Sequence, residues 1–171
     1  MTRHESRELA FALLFEKAFS NAPVRDLLLN AGEAREVESD AFALSLAEGA
    51  ESHLDQLDAL IAAFSHKWSK DRINRVALSI MRLAVYEMEF CDDIPDSIAI
   101  NEAVELAKTY GGDDDPSFVN GVLGGVSRRD KDAAASSTEP GESGPSAVES
   151  AAVEPTDSTE EPGCAPAEGD R

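Results

Sequence analysis

Cysteine is nearly absent from the 171 residues: only Cys91 and Cys164 occur. Two such residues make neither a disulfide framework nor a metal-ligand spacing, and they suit a reducing cytoplasm. Long apolar runs are missing as well. The longest, Leu9–Phe15, has seven residues, far below the ~20 that span a bilayer. The N-terminus, Met-Thr-Arg-His-Glu-Ser-Arg-Glu, is charged and has no apolar h-region, so no secretory signal is expected. Positive charge is scarce: 15 Lys+Arg stand against 34 Asp+Glu, a net charge of −19. That field opposes non-specific binding along duplex DNA. It leaves room for a small local nucleic-acid site, because charges beyond ~8 Å are largely screened at physiological salt. No stretch alternates with period two, and no hairpin dipeptide joins two such runs. A nucleophile elbow, a Walker loop and a dinucleotide fingerprint are all lacking. The three histidines, His4, His53 and His66, are far apart in the chain. No catalytic residue, cofactor or metal is therefore expected.

What remains is helical. Thr2 with Glu5 makes a capping box for a first helix over Arg3–Phe19. Its Phe11, Phe15 and Phe19, with Leu9, Leu13 and Leu14, make it apolar on several sides, so several neighbours must cover it. Pro23 suits the first turn of a short second helix through Leu29, closed by Asn30-Ala31-Gly32. A three-four rhythm from Phe42 to Phe64 predicts one long helix over Ser39–Phe64, with His53 on its apolar stripe. A turn at Ser65–Ser69 holds Trp68, and a further helix is expected over Asp71–Phe90. Pro95 separates it from a helix over Ser97–Tyr110, which Gly111-Gly112 stops. Asp115 is expected to cap the last helix, with Pro116 at its first position. Gly121, Gly124 and Gly125 weaken that helix by ~1 kcal/mol each relative to Ala, so close packing must hold it. Residues 133–171 differ in kind: nine acids, five Pro, four Gly and six Ser, without Leu, Ile, Met or aromatics. Such a segment cannot offset its ordering entropy by burial. The expected organisation is a helical domain over 1–130 and a disordered acidic tail over 131–171.

Two motifs invite chemistry and have plainer readings. Gly111-Gly-Asp-Asp-Asp115 lacks the alternating ligands and distal Glu of a Ca²⁺ loop, and reads as a helix stop followed by a cap. Gly121-Val-Leu-Gly124 has a clamp's glycines but an apolar centre. The scarce cations do cluster once. Arg3, His4 and Arg7 stand at the start of the first helix, where its dipole adds positive potential. An ordinary solvated terminus, with Arg7 paired to a nearby Glu, is the competing reading.

Ile94-Pro-Asp-Ser-Ile-Ala-Ile-Asn-Glu-Ala-Val-Glu-Leu-Ala-Lys-Thr-Tyr-Gly111, followed by Phe118-Val-Asn-Gly-Val-Leu123, resembles the C-terminal signature of the NusB transcription antitermination family. Met81-Arg-Leu-Ala-Val-Tyr-Glu87 is similar to its Leu-Arg-x-Ala-x-Tyr-Glu helix, and Ser6–Phe15 to its N-terminal segment. The likeness covers about 3–128; the tail has no counterpart. It implies an all-α fold of two small helical bundles packed side by side, and a non-enzymatic role. It implies pairing with NusE, a small-subunit ribosomal protein. The pair would bind boxA-type single-stranded RNA in nascent ribosomal RNA and join the antitermination complex on RNA polymerase. Carried residue by residue, it places Arg3, His4, Arg7, Asp114 and Phe118 at RNA, and Phe15, Tyr86 and Glu87 at the partner protein. The N-terminus here lacks the family's run of arginines. Two or three neutralised phosphates give a salt slope of only about −1.5 to −2, so useful affinity would need the basic partner, whose encounter an acidic body speeds. A purely protein-binding adaptor is the alternative. A docking module of an RNA methyltransferase is disfavoured, because the 39 polar residues of 133–171 are too few for a cofactor-binding domain.

Overall fold

A computed structural model describes residues 1–35, 40–65 and 73–136, with side chains described through 31, over 40–65 and over 73–129. Trp68 of the expected turn, His66, Cys164 and residues 137–171 of the acidic tail lie outside these residues; residues 131–136, expected in the disordered tail, instead continue the last helix.

The chain starts as its capping box dictates. The Glu5 amide donates to Thr2 Oγ1 at 3.2 Å, and the Thr2 amide donates to Glu5 Oε2 at 2.6 Å. These bonds open α1, Arg3–Lys17. Helix α2, Val24–Arg35, buries Val24, Leu27 and Leu28. It runs straight through Asn30-Ala31-Gly32, where a stop was expected. Those residues lower propensity by ~1 kcal/mol at most, which continued helical bonding overcomes.

The long helix expected over Ser39–Phe64 is two helices, α3 (Ala41–Ser52) and α4 (Leu54–Phe64), broken at His53. His53 has φ −119° and ψ 15°, and its amide bonds back three residues to Ala50. Its ring Nδ1–H donates to the Gly49 carbonyl at 2.7 Å, replacing a bond the kink removes. The apolar rhythm survives the kink because Leu57 and Ile61 still face the core, so periodicity could not reveal it.

Helix α5, Arg75–Phe90, starts four residues later than expected, at an Asn74 cap that accepts from the Ala77 amide at 2.7 Å. Nine of its sixteen residues are buried. Helix α6, Asp96–Tyr110, follows Pro95, and α7 spans Asp115–Ser136. Asp115 does not cap its own helix as expected. Its carboxylate accepts from the Gly112 amide and the Asn74 side chain, at 2.7–2.8 Å, which pins the start of α7 to the start of α5. The glycines of α7 do answer to packing at one place: a Cβ on Gly125 would sit 2.7 Å from the Phe64 ring.

No strand occurs among the described residues. Helices α1–α3 form one small bundle and α4–α7 the other. Helix α5 touches α1 and α3 as well as α4, α6 and α7, so the bundles share a continuous core. Burying about thirty apolar side chains in that core drives the assembly. No described helix is long and apolar enough to cross a membrane.

Candidate nucleic-acid interface

The first turn of α1 presents its cations unequally. Arg3 is exposed, its guanidinium 3.8 Å above the Phe42 ring. His4 is half-exposed. Its Nδ1 lies 2.8 Å from Glu102 Oε2 on α6, and its Nε2 3.8 Å from Glu8 Oε1. The hydrogen bond to Glu102 raises the imidazole pKa above its ordinary value.

Arg7 is different, and so is Glu87; both expectations need correction. Arg7 is 5% exposed and Glu87 1%. Arg7 Nε donates to both Glu87 oxygens at 3.0 Å, and Nη2 donates to Oε2 at 2.8 Å. Arg7 Nη1 adds a 3.4 Å bond to the Arg3 carbonyl and stands 3.9 Å from Glu102. The Glu87 carboxyl is pushed above the ordinary carboxylate range by burial, against the pull of Arg7. Neither side chain is available to an RNA or to a partner surface. They tie α1 to α5, and a buried charge must be paired in this way.

Phe118 and Asp114 are at the other end of α1. Half-buried Phe118 lines a pocket of about 520 Å³ with Ile73, Asn74, Ala77, Asp114, Asp115 and Ser117. Ile73 and Ala77 supply its apolar floor, and exposed Asp114 a carboxylate at its rim. The Asn74–Asp115 bridge holds the pocket's two helices in register before any ligand arrives. A flat ring beside a fixed polar rim suits an unstacked base.

Between tip and pocket runs a row of rings that sequence reading missed in part. Tyr110 and Phe11 have centroids 5.1 Å apart, Phe11 and Phe15 6.1 Å, and Phe15 and Phe19 5.1 Å. Arg75 caps the row, 4.6 Å from the Phe19 centroid, while its Nη1 donates to the Ala18 carbonyl. Tyr110 and Phe19 are 47% and 64% exposed, whereas Phe11 is buried. Tyr86 stands apart from Phe15. It packs over Gly49, 5.8 Å from the His53 ring and 5.2 Å from Phe90. The two expected partner contacts thus belong to different patches. Glu102 and Arg75 carried no signal as single residues; only the Asn101-Glu102-Ala103 motif marked the former.

A family model described as the NusB family matches residues 4–128. The transcription antitermination protein NusB of Trichlorobacter lovleyi is 40% identical over 139 residues, 80% of this chain and 98% of that relative. The protein of the same name from Lactiplantibacillus plantarum is 44% identical over 131 residues, 74% of this chain and 94% of the relative. Among solved structures, T. maritima NusB superposes with a TM-score of 0.68 at 31% identity, covering 75% of this chain and 92% of that one. NusB in a complex of NusB and NusE with dsRNA gives 0.65 at 25% identity, covering 75% and 99%.

Proposed function

We propose that this chain, which belongs to the NusB family of transcription antitermination factors and not to an enzyme family, pairs with a NusE-type small-subunit ribosomal protein. The pair binds boxA-type single-stranded RNA in nascent ribosomal RNA and joins the antitermination complex on RNA polymerase, in the cytoplasm. The helical domain, through the end of α7, does this work, and the acidic segment that follows takes no part in it.

The row of rings along α1, joining a cationic tip to an aromatic pocket, carries the reading. Phosphates would meet Arg3 and His4, and a base would stack on Phe118 beside Asp114. Stacking of one base on a protein ring contributes ~1–3 kcal/mol. Phe15 and Tyr86 remain the proposed partner contacts, Glu87 acting only through its bond to Arg7.

Only two cations stand at the tip once Arg7 is buried, and this favours a second reading, an adaptor that leaves RNA contact to its partner. One titration separates them. The full chain with its ribosomal-protein partner is measured against boxA-type and scrambled oligonucleotides, with and without Arg3→Ala and Phe118→Ala. A preference for boxA that both variants weaken supports direct contact. No preference refutes the RNA reading, and a preference untouched by the variants establishes the adaptor.

A further inference from the structure

Asn101-Glu102-Ala103 lies within the C-terminal signature quoted above, yet its glutamate has no part in the RNA and partner contacts assigned above. Glu102 projects from α6 to the N-terminal turn of α1. Its Oε2 lies 2.8 Å from His4 Nδ1 and 3.9 Å from Arg7 Nη1. It is partly buried, 27% exposed at the side chain, where His4 is 43% exposed. One carboxylate thus touches both the locked cation of the core pair and the open histidine of the tip.

We propose that Glu102 is a positioning residue for the RNA-contacting tip: its carboxylate holds the protonated His4 ring by Nδ1 and leaves Nε2–H for a phosphate oxygen. This rests on the RNA-binding function proposed above. An imidazolium has two N–H donors. Glu102 takes one, fixing the ring plane. Among the described residues, the carboxylate near Nε2 is that of Glu8, at 3.8 Å, beyond hydrogen-bond length. A ring fixed on one edge loses less freedom when the other edge binds. The carboxylate also sets the charge. The charged groups facing the ring are Glu102 from α6 and Glu8, Glu5 and Arg7 from α1 itself. The Glu102 hydrogen bond leads this balance and favours the protonated form. Because Arg7 is buried against Glu87, Arg3 is the only permanent cation of the trio left in the open. The charge on His4 therefore decides whether the tip offers one cation or two.

The test is the pH dependence of RNA affinity, using the full chain with its ribosomal-protein partner and a synthetic boxA-type oligonucleotide. One phosphate contact on single-stranded RNA adds ~0.7 to the salt slope, about five-fold in affinity at ~0.1 M salt. The wild type should therefore weaken about five-fold from acid to alkaline pH across the His4 titration, and its salt slope should fall by ~0.7. His4→Gln should abolish this change, which also separates it from any titration of the partner. His4→Arg should bind tightly at every pH. Glu102→Gln should move the wild-type midpoint to lower pH, and should have no such effect in the His4→Arg background. A purely structural Glu102 would lower the melting temperature and leave the midpoint in place, which overturns the proposal. So does an identical pH profile for wild type and His4→Gln. Absence of any RNA preference at acid pH would instead bring down the functional reading beneath it.

Discussion

Replacing Arg7 by Ala should be among the most damaging single changes in this fold. It removes the three hydrogen bonds that Glu87 accepts and leaves a carboxylate whose side chain is 2% exposed. Breaking one side of a buried pair costs about 3–5 kcal/mol. For a helical fold of this size, ~1 kcal/mol shifts the melting temperature by ~4 °C. A fall of roughly 12–20 °C at neutral pH follows, read by circular dichroism. The variant also has a pH signature. Burial already pushes the Glu87 carboxyl upward, and without Arg7 nothing opposes it. A carboxyl raised in the folded state binds its proton more tightly there than in the unfolded chain. Stability is then gained as pH falls toward the ordinary carboxylate range and lost as pH rises. The Arg7→Ala deficit should therefore shrink under mildly acid conditions, whereas Arg3→Ala should show no such recovery. Replacing both partners, as Arg7→Met with Glu87→Leu, should restore most of the lost stability, since apolar isosteres often match a buried pair. If that double variant also keeps RNA affinity, Arg7 acts by position. A melting temperature for Arg7→Ala within ~2 °C of wild type would refute the reasoning.

Other outcomes follow from local geometry. Phe118→Ala should weaken RNA binding by the partner complex about 5- to 150-fold, the equivalent of ~1–3 kcal/mol of stacking; an unchanged titration would remove Phe118 from the site. Gly121→Ala should stabilise by about 1 kcal/mol, because a Cβ there meets nothing within 4 Å. Gly125→Ala should do the reverse by driving into Phe64, and thermal melts that reverse this order would count against the packing argument. Ser79 is fully buried on α5 and its hydroxyl has no hydrogen-bond partner. Ser79→Ala should be neutral or stabilising in urea denaturation, since no bond is lost and a desolvated hydroxyl is removed.

Helix existence was legible because each helix carries its own apolar period, and the Thr2 cap was legible because both partners lie within three residues. Boundaries set at a distance were not. The His53 kink depends on a Gly49 carbonyl, and behind it Tyr86 needs Gly49 bare, for a Cβ there would collide with its ring. Asp115 has the sequence of a cap and the function of a brace, because Asn74 comes within 2.7–2.8 Å from 41 residues away. The same limit governed the site. Arg3, His4 and Arg7 read as one cationic cluster, yet the helix turns Arg7 inward to a glutamate 80 residues distant. A paired Arg7 is the competing reading in the sequence, and the glutamate that pairs with it is distant in the chain.

That distribution of cations supports the proposal that RNA binding by this chain needs a second protein. Lys17, Arg25, Arg82 and Lys108 each form an ion pair with a carboxylate of this chain, as Arg7 does in the core. Among the predicted contacts Arg3 and His4 remain to meet phosphate, so the chain's own salt slope should lie near −1.4 at most. A slope of that size gives little affinity at physiological salt, whereas an acidic surface accelerates the approach of a basic protein. The order of events follows from these magnitudes: partner first, RNA second. Association kinetics with partner and RNA mixed should show a fast, salt-sensitive protein–protein phase before any RNA signal. A direct, partner-independent RNA phase of comparable affinity would mean that cations beyond Arg3 and His4, such as Arg75 or Arg128, contribute, and that the tip alone does not set the slope.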